Sequence, residues 1–71
     1  MITLQQAKNL QPGQTLYHTK NTNADGTPQR WKVTGIPKTW KTMPERVKVP
    51  VKHGLRTYDY VTEESLDLVN L

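Results

Sequence analysis

The chain has 71 residues and a mass of 8.2 kDa, with ten Lys and Arg against six Asp and Glu, a net charge of +4, and no cysteine. That length fits one domain, residues 1–71, in which only about 60% of the unfolded chain's surface can be buried, and the lack of Cys excludes a disulfide framework or thiolate metal site. No apolar run could span a bilayer, and the start Met1-Ile2-Thr3-Leu4 lacks the basic and apolar regions of a secretory signal, so a cytoplasmic protein without membrane attachment is expected.

The first element reads as a short helix. Thr3 followed by Gln6 has the spacing of a capping box, and Ile2 with Ala7 that of a hydrophobic staple. Leu4, Ala7 and Leu10 recur every three residues until Pro12-Gly13 stops the run. About two turns of helix are marginal in isolation, so this element must dock on something.

From Gln14 the punctuation becomes that of strands. Thr15-Leu16-Tyr17-His18 is a short β candidate, and Asn21 to Pro28 reads as a polar loop with Asp25-Gly26 at its turn. Arg30-Trp31-Lys32-Val33-Thr34 alternates, sending Trp31 and Val33 one way and Arg30, Lys32 and Thr34 the other. Lys38-Thr39-Trp40-Lys41-Thr42 has high β propensity without a clear apolar face, and Met43-Pro44-Glu45 turns the chain. Val47, Val49 and Val51 then define an inward face opposite Arg46, Lys48, Pro50 and Lys52; Pro50 lacks a donor, which predicts an edge strand or a bulge there. After a turn at His53-Gly54, Thr57-Tyr58-Asp59-Tyr60-Val61 forms another strand. Thr62-Glu63-Glu64-Ser65 is expected to make one helical or 3₁₀ turn, and Leu66-Asp67-Leu68-Val69 a short closing strand.

Five or six short strands with frequent turns, a short N-terminal helix and a late helical turn predict a mainly β fold, a small SH3-like antiparallel barrel, with an OB-like barrel as the alternative.

The charge is unevenly placed. Residues 30–56 carry Arg30, Lys32, Lys38, Lys41, Arg46, Lys48, Lys52 and Arg56 against Glu45 alone, whereas residues 57–71 carry Asp59, Glu63, Glu64 and Asp67 and no base. Aromatic residues are threaded through the basic segment, and rings among bases are what single-stranded nucleic acid requires: planes for stacking and cations for phosphate. Trp40 sits between Thr39 and Lys41 as a candidate stacking ring, while Tyr58 and Tyr60 share a face that either fills the interior or forms a platform beside Lys52 and Arg56. Lys52-His53-Gly54-Leu55-Arg56 places two cations and an imidazole about one turn, where backbone N–H groups can cradle an anion. The candidate nucleic-acid or anion-binding residues are therefore Arg30, Lys32, Lys38, Trp40, Lys41, Arg46, Lys48, Lys52, His53, Arg56 and Tyr58.

Catalytic signals are absent from the sequence. His18 and His53 lie far apart, the four glycines are scattered, and no nucleophile elbow, zincin motif or phosphate loop occurs. A non-enzymatic protein without cofactor or metal is expected.

Several stretches, among them Leu10-Gln11-Pro12-Gly13-Gln14, Asp25-Gly26-Thr27-Pro28, Arg30-Trp31-Lys32-Val33-Thr34-Gly35, Lys38-Thr39-Trp40-Lys41, Val49-Pro50-Val51-Lys52-His53-Gly54-Leu55 and Tyr58-Asp59-Tyr60-Val61-Thr62, resemble small bacteriophage-encoded proteins. The resemblance covers most of the chain and implies an accessory protein acting in the host bacterial cytoplasm; it assigns no catalytic or binding residue. The expected partner is nucleic acid. The alternatives are an acidic host protein that the chain binds and inhibits, engaged through the loop at 21–29 and the strand at Pro50, or a small nucleotide held by Lys52, His53, Arg56, Tyr58 and Tyr60. Either a monomer or a homodimer is compatible with so small a domain.

Overall fold

The structure, a computed structural model, describes residues 1–71. The elements are α1 (Leu4–Lys8), β1 (Thr15–Thr22), β2 (Pro28–Val33), β3 (Lys38–Thr39), β4 (Val47–His53), β5 (Thr57–Thr62), a 3₁₀ turn η1 (Leu66–Leu68) and β6 (Val69–Asn70). All six strands join one antiparallel sheet in the order β3-β4-β2-β1-β6, with β5 along the other edge of β4. The fold is thus mainly β, as the strand and turn signals require. No ladder joins β6, at the far end of this path, to β3 or β5, so backbone pairing does not close the sheet on itself. No helix is long and apolar enough to cross a membrane.

The N-terminal helix forms as its sequence dictates. Thr3 Oγ1 accepts the Gln6 N–H (3.0 Å) while Gln6 Oε1 accepts the Thr3 N–H (2.8 Å), which satisfies two otherwise orphaned donors. Ile2, Ala7 and Leu10 are buried, and the Ile2 N–H donates to the Leu66 carbonyl (3.0 Å), fastening the helix to η1. Five residues would not hold a helix alone; the docked apolar face does.

That face completes a core built mainly by strand alternation. Val47, Val49 and Val51 of β4 meet Leu16, Val33, Val61 and Val69, with Leu4, Trp31 and Leu66 packed around them. Each fully buried aliphatic side chain contributes about 1.5–3 kcal/mol.

Pro50 is neither on an edge strand nor at a bulge of β4. The β4–β5 register is unbroken from Lys48↔Thr62 to His53↔Thr57, and the opposite edge of β4 is shared by two strands in succession, β2 through Lys32↔Lys52 and Val33↔Val51, then β3 through Lys38↔Lys48 and Thr39↔Val47. Residues 34–37 cross between them. The Pro50 carbonyl accepts the Thr34 N–H (2.9 Å), and its ring nitrogen faces the same crossover, where no ladder donor is needed. A proline is tolerated inside the sheet because the neighbouring edge is interrupted at that point. A Cβ built on Gly35 would lie 3.2 Å from Pro50 Cγ, so the proline ring packs directly against the glycine backbone.

Three boundaries differ from expectation. Only Lys38 and Thr39 of the 38–42 segment pair; the Trp40 carbonyl accepts the Met43 N–H (3.3 Å), so the chain has begun to turn, consistent with the missing apolar face. Residues 62–65 form a turn closed by Ser65 N–H to Thr62 O (3.0 Å) and Thr62 N–H to Ser65 Oγ (2.9 Å), and the 3₁₀ turn comes next, at Leu66–Leu68, leaving only Val69–Asn70 as strand. Finally, β1 and β2 run into the expected loop, leaving a turn at 23–27 with Gly26 at φ +86. Between Tyr17↔Arg30 and Thr22↔Pro28 the register shifts, and His18 Nδ1 accepts the backbone N–H groups of Lys20 (3.0 Å) and Asn21 (2.8 Å) that this bulge frees from the ladder.

The β4 arrangement predicts unequal costs for neighbouring substitutions. Val49→Ala should lower unfolding stability by about 2 kcal/mol in urea titration, through lost burial and a residual cavity. Pro50→Ala should cost no more than about 1 kcal/mol, because the ring is only half-buried, no hydrogen bond is lost, and the main change is in unfolded-chain entropy.

In the 23–27 turn, hydrogen bonds from the Thr27 hydroxyl (2.6 Å) and Thr27 N–H (3.0 Å) hold the Asp25 carboxyl below its ordinary value of 3.8. The contribution of the ionised form is complete above 3.8 and is lost as pH falls through the lower folded-state value. Thr27→Val should move the Asp25 titration up toward 3.8, measured by carboxyl NMR.

Candidate nucleic-acid interface

Burial of Val47, Val49 and Val51 sends Lys48, Pro50 and Lys52 to the opposite, outer face of β4. Directly paired residues share a face, so the register fixes what surrounds them. Lys52 is flanked by Lys32 of β2 and Tyr58 of β5, Pro50 by Tyr60, and Lys48 by Lys38 of β3. One strand further on, Arg30 pairs with Tyr17 of β1. Five cations (Arg30, Lys32, Lys38, Lys48 and Lys52) and three tyrosines therefore share one outer face. Asp59, the only carboxylate in any strand, pairs with buried Val51 and projects to the other side.

The aromatic rings on this face are open. Tyr58 is 68% exposed and Tyr60 52%, and Lys48 Nζ lies 4.2 Å from the Tyr60 ring centroid. Of the two outcomes the sequence left for Tyr58 and Tyr60, the structure has the exposed platform. None of these five cations forms an ion pair: the chain's single one joins Arg46 to Glu63 (3.5 Å). Lys32 directly opposite Lys52 is an arrangement that costs stability, since like charges across an antiparallel pair repel.

The remaining candidates fall elsewhere. Trp40 is half-buried, with Arg46 Cζ 4.3 Å and Lys38 Nζ 5.2 Å from its ring, so Arg46 occupies the plane expected to stack. Lys41 lies in the exposed turn after β3, and Arg56 in the turn between β4 and β5, beside Leu55 and Gly54 (φ +68). Alternation separates His53 from Lys52: the His53 ring sits 5.2 Å from that of Trp31, and its Nδ1 lies 3.0 Å from the Arg30 carbonyl. The turn at 52–56 thus does not gather its two cations and imidazole on one side. Tyr17 was not anticipated; the signal was its place immediately after Leu16, on the opposite side of the alternation.

Comparison with protein-family models, curated proteins and solved structures finds no match for this chain.

The Lys32–Lys52 pairing predicts that Lys32→Glu raises unfolding stability by about 0.5 kcal/mol at low salt, as an opposite-charge pair replaces a repulsive one. The gain should shrink in denaturant titrations at about 1 M salt, where the screening length falls to about 3 Å.

Proposed function

We propose that the chain is a nucleic-acid-binding module whose outer sheet face holds the phosphate backbone. Arg30, Lys32, Lys38, Lys48 and Lys52 neutralise phosphate, and Tyr58 and Tyr60 present planes on which bases stack. The observation that carries this reading is the concentration of five cations and three tyrosines on one face to which the strands contribute no carboxylate. Two features support an SH3-like arrangement of the sheet: two successive strands share one edge of β4, and a 3₁₀ turn precedes the last short strand. With the resemblance to phage-encoded proteins, the setting we propose is the host bacterial cytoplasm, with no enzymatic activity.

An acidic protein could engage the same cations, and base stacking separates the two partners. Tyr58→Ala should weaken binding to a single-stranded oligonucleotide by about 1–3 kcal/mol, whereas Tyr58→Phe, which keeps the ring, should bind almost as tightly as the native chain.

Fluorescence anisotropy with labelled single- and double-stranded oligonucleotides tests the proposal. Affinity should fall steeply with salt, each neutralised phosphate adding about −0.7 to −0.9 to the slope of log K against log salt, and Lys52→Ala should lower that slope by about one contact. Absence of saturable binding below about 100 μM at low salt would overturn it, since even non-specific binding falls within 10⁻⁴–10⁻⁶ M.

A further inference from the structure

The cations and rings of the outer face are sorted into adjacent lanes. Arg30, Lys32, Lys38, Lys48 and Lys52 lie on β2, β3 and β4, and β5 carries no cation. Tyr58 and Tyr60 lie on β5, which pairs with β4 alone, so the two most exposed rings line one margin of the cationic track. At about 3.3–3.4 Å per residue, Lys48 and Lys52 stand about 13 Å apart along β4, with Tyr58 opposite Lys52 and Tyr60 level with Pro50 between them. Lys48 Nζ, 4.2 Å from the Tyr60 centroid, covers one face of that ring. No cation stands over Tyr58, which makes it the freer stacking plane.

This sorting restricts the partner. In a duplex each base is covered by its neighbours, so a protein ring reaches a base plane only after the stack is opened, at a cost that is least where the strand is already single. A single strand offers both surfaces together, phosphate along one side and bare base planes along the other. The carboxylates of an acidic protein would satisfy the lysines and leave both rings facing water. The β5 lane also carries nothing that repels a passing phosphate backbone, since Asp59 projects to the other side of the sheet.

Resting on the outer-face function above, we propose that this face selects single-stranded over double-stranded nucleic acid. The strand lies along β4 and β5, its phosphates over the lysines of β4 and β2 and its bases turned toward the β5 margin. Tyr58 is the main stacking plane, and Tyr60 offers the face that Lys48 leaves free.

Three labelled ligands of equal length test this by fluorescence anisotropy with the whole chain: an oligothymidylate, its duplex with oligoadenylate, and an abasic strand that keeps the phosphates and lacks the bases. The oligothymidylate should bind at least about fivefold more tightly than the other two, the low end of what stacking on one ring provides. Tyr58→Ala, at an exposed position, should remove most of that advantage, and Tyr58→Phe should keep it. In NMR spectra the oligothymidylate should give the Tyr58 ring protons a ring-current shift that the abasic strand does not. Duplex binding as tight as that of the single strand overturns the selectivity, and leaves the outer-face function standing where Lys52→Ala still weakens it. A single-strand preference that survives Tyr58→Ala, or a bound strand without the ring-current shift, puts the bases elsewhere and overturns the path along β5. Absence of saturable binding by all three ligands overturns both the selectivity and the outer-face function.

Discussion

The whole arrangement depends on β4 being hydrogen-bonded along both edges. Seven residues receive β5 on one side and β2 followed by β3 on the other, and that pairing allows three valines to be driven into the interior as a unit. Since side chains alternate, the same constraint turns Lys48 and Lys52 outward with no freedom to do otherwise. Core and charged face are therefore two consequences of one register. A slip of one residue would exchange them, burying lysines and exposing valines, and the energetic gap between those states fixes the pairing.

The distribution of charge follows a logic that folding alone does not supply. Lysines that face each other across β2 and β4 repel, and the acidic last segment could have been placed to neutralise them. Instead Glu63 meets Arg46 off the strands, Asp25 is engaged by Thr27, and Asp59 projects to the far side. The domain retains repulsion on a surface where it also exposes tyrosines, and that coincidence is the ground on which an anionic, ring-bearing partner is proposed.

The helix cap, the buried valine series and the outward lysines were legible because each depends on local spacing alone. Trp40 was not, because its surroundings come from a long-range meeting: Arg46, six residues on, returns over the indole once the chain has turned at Met43. His53 was misplaced by treating a turn as a cluster, when strand alternation continues through it and parts neighbours in sequence. Pro50 shows the limit most clearly. A proline without a donor suggests an edge, and only the tertiary arrangement reveals that an interior strand can have a local interruption beside it. The cleft bordered by His18, Trp31, Val61 and Val69 was invisible for the same reason, since its walls come from strands far apart along the chain.

The packing of Pro50 on Gly35 has an evolutionary corollary. With the ring carbon 3.2 Å from where a methyl group at position 35 would stand, a side chain at 35 requires the residue at 50 to give way by a few tenths of an ångström. The two should covary in lineages that share this ancestry, a bulkier residue at 35 appearing only alongside a slimmer one at 50. Such epistasis would record, in sequence divergence alone, the point at which one strand hands its neighbour to the next.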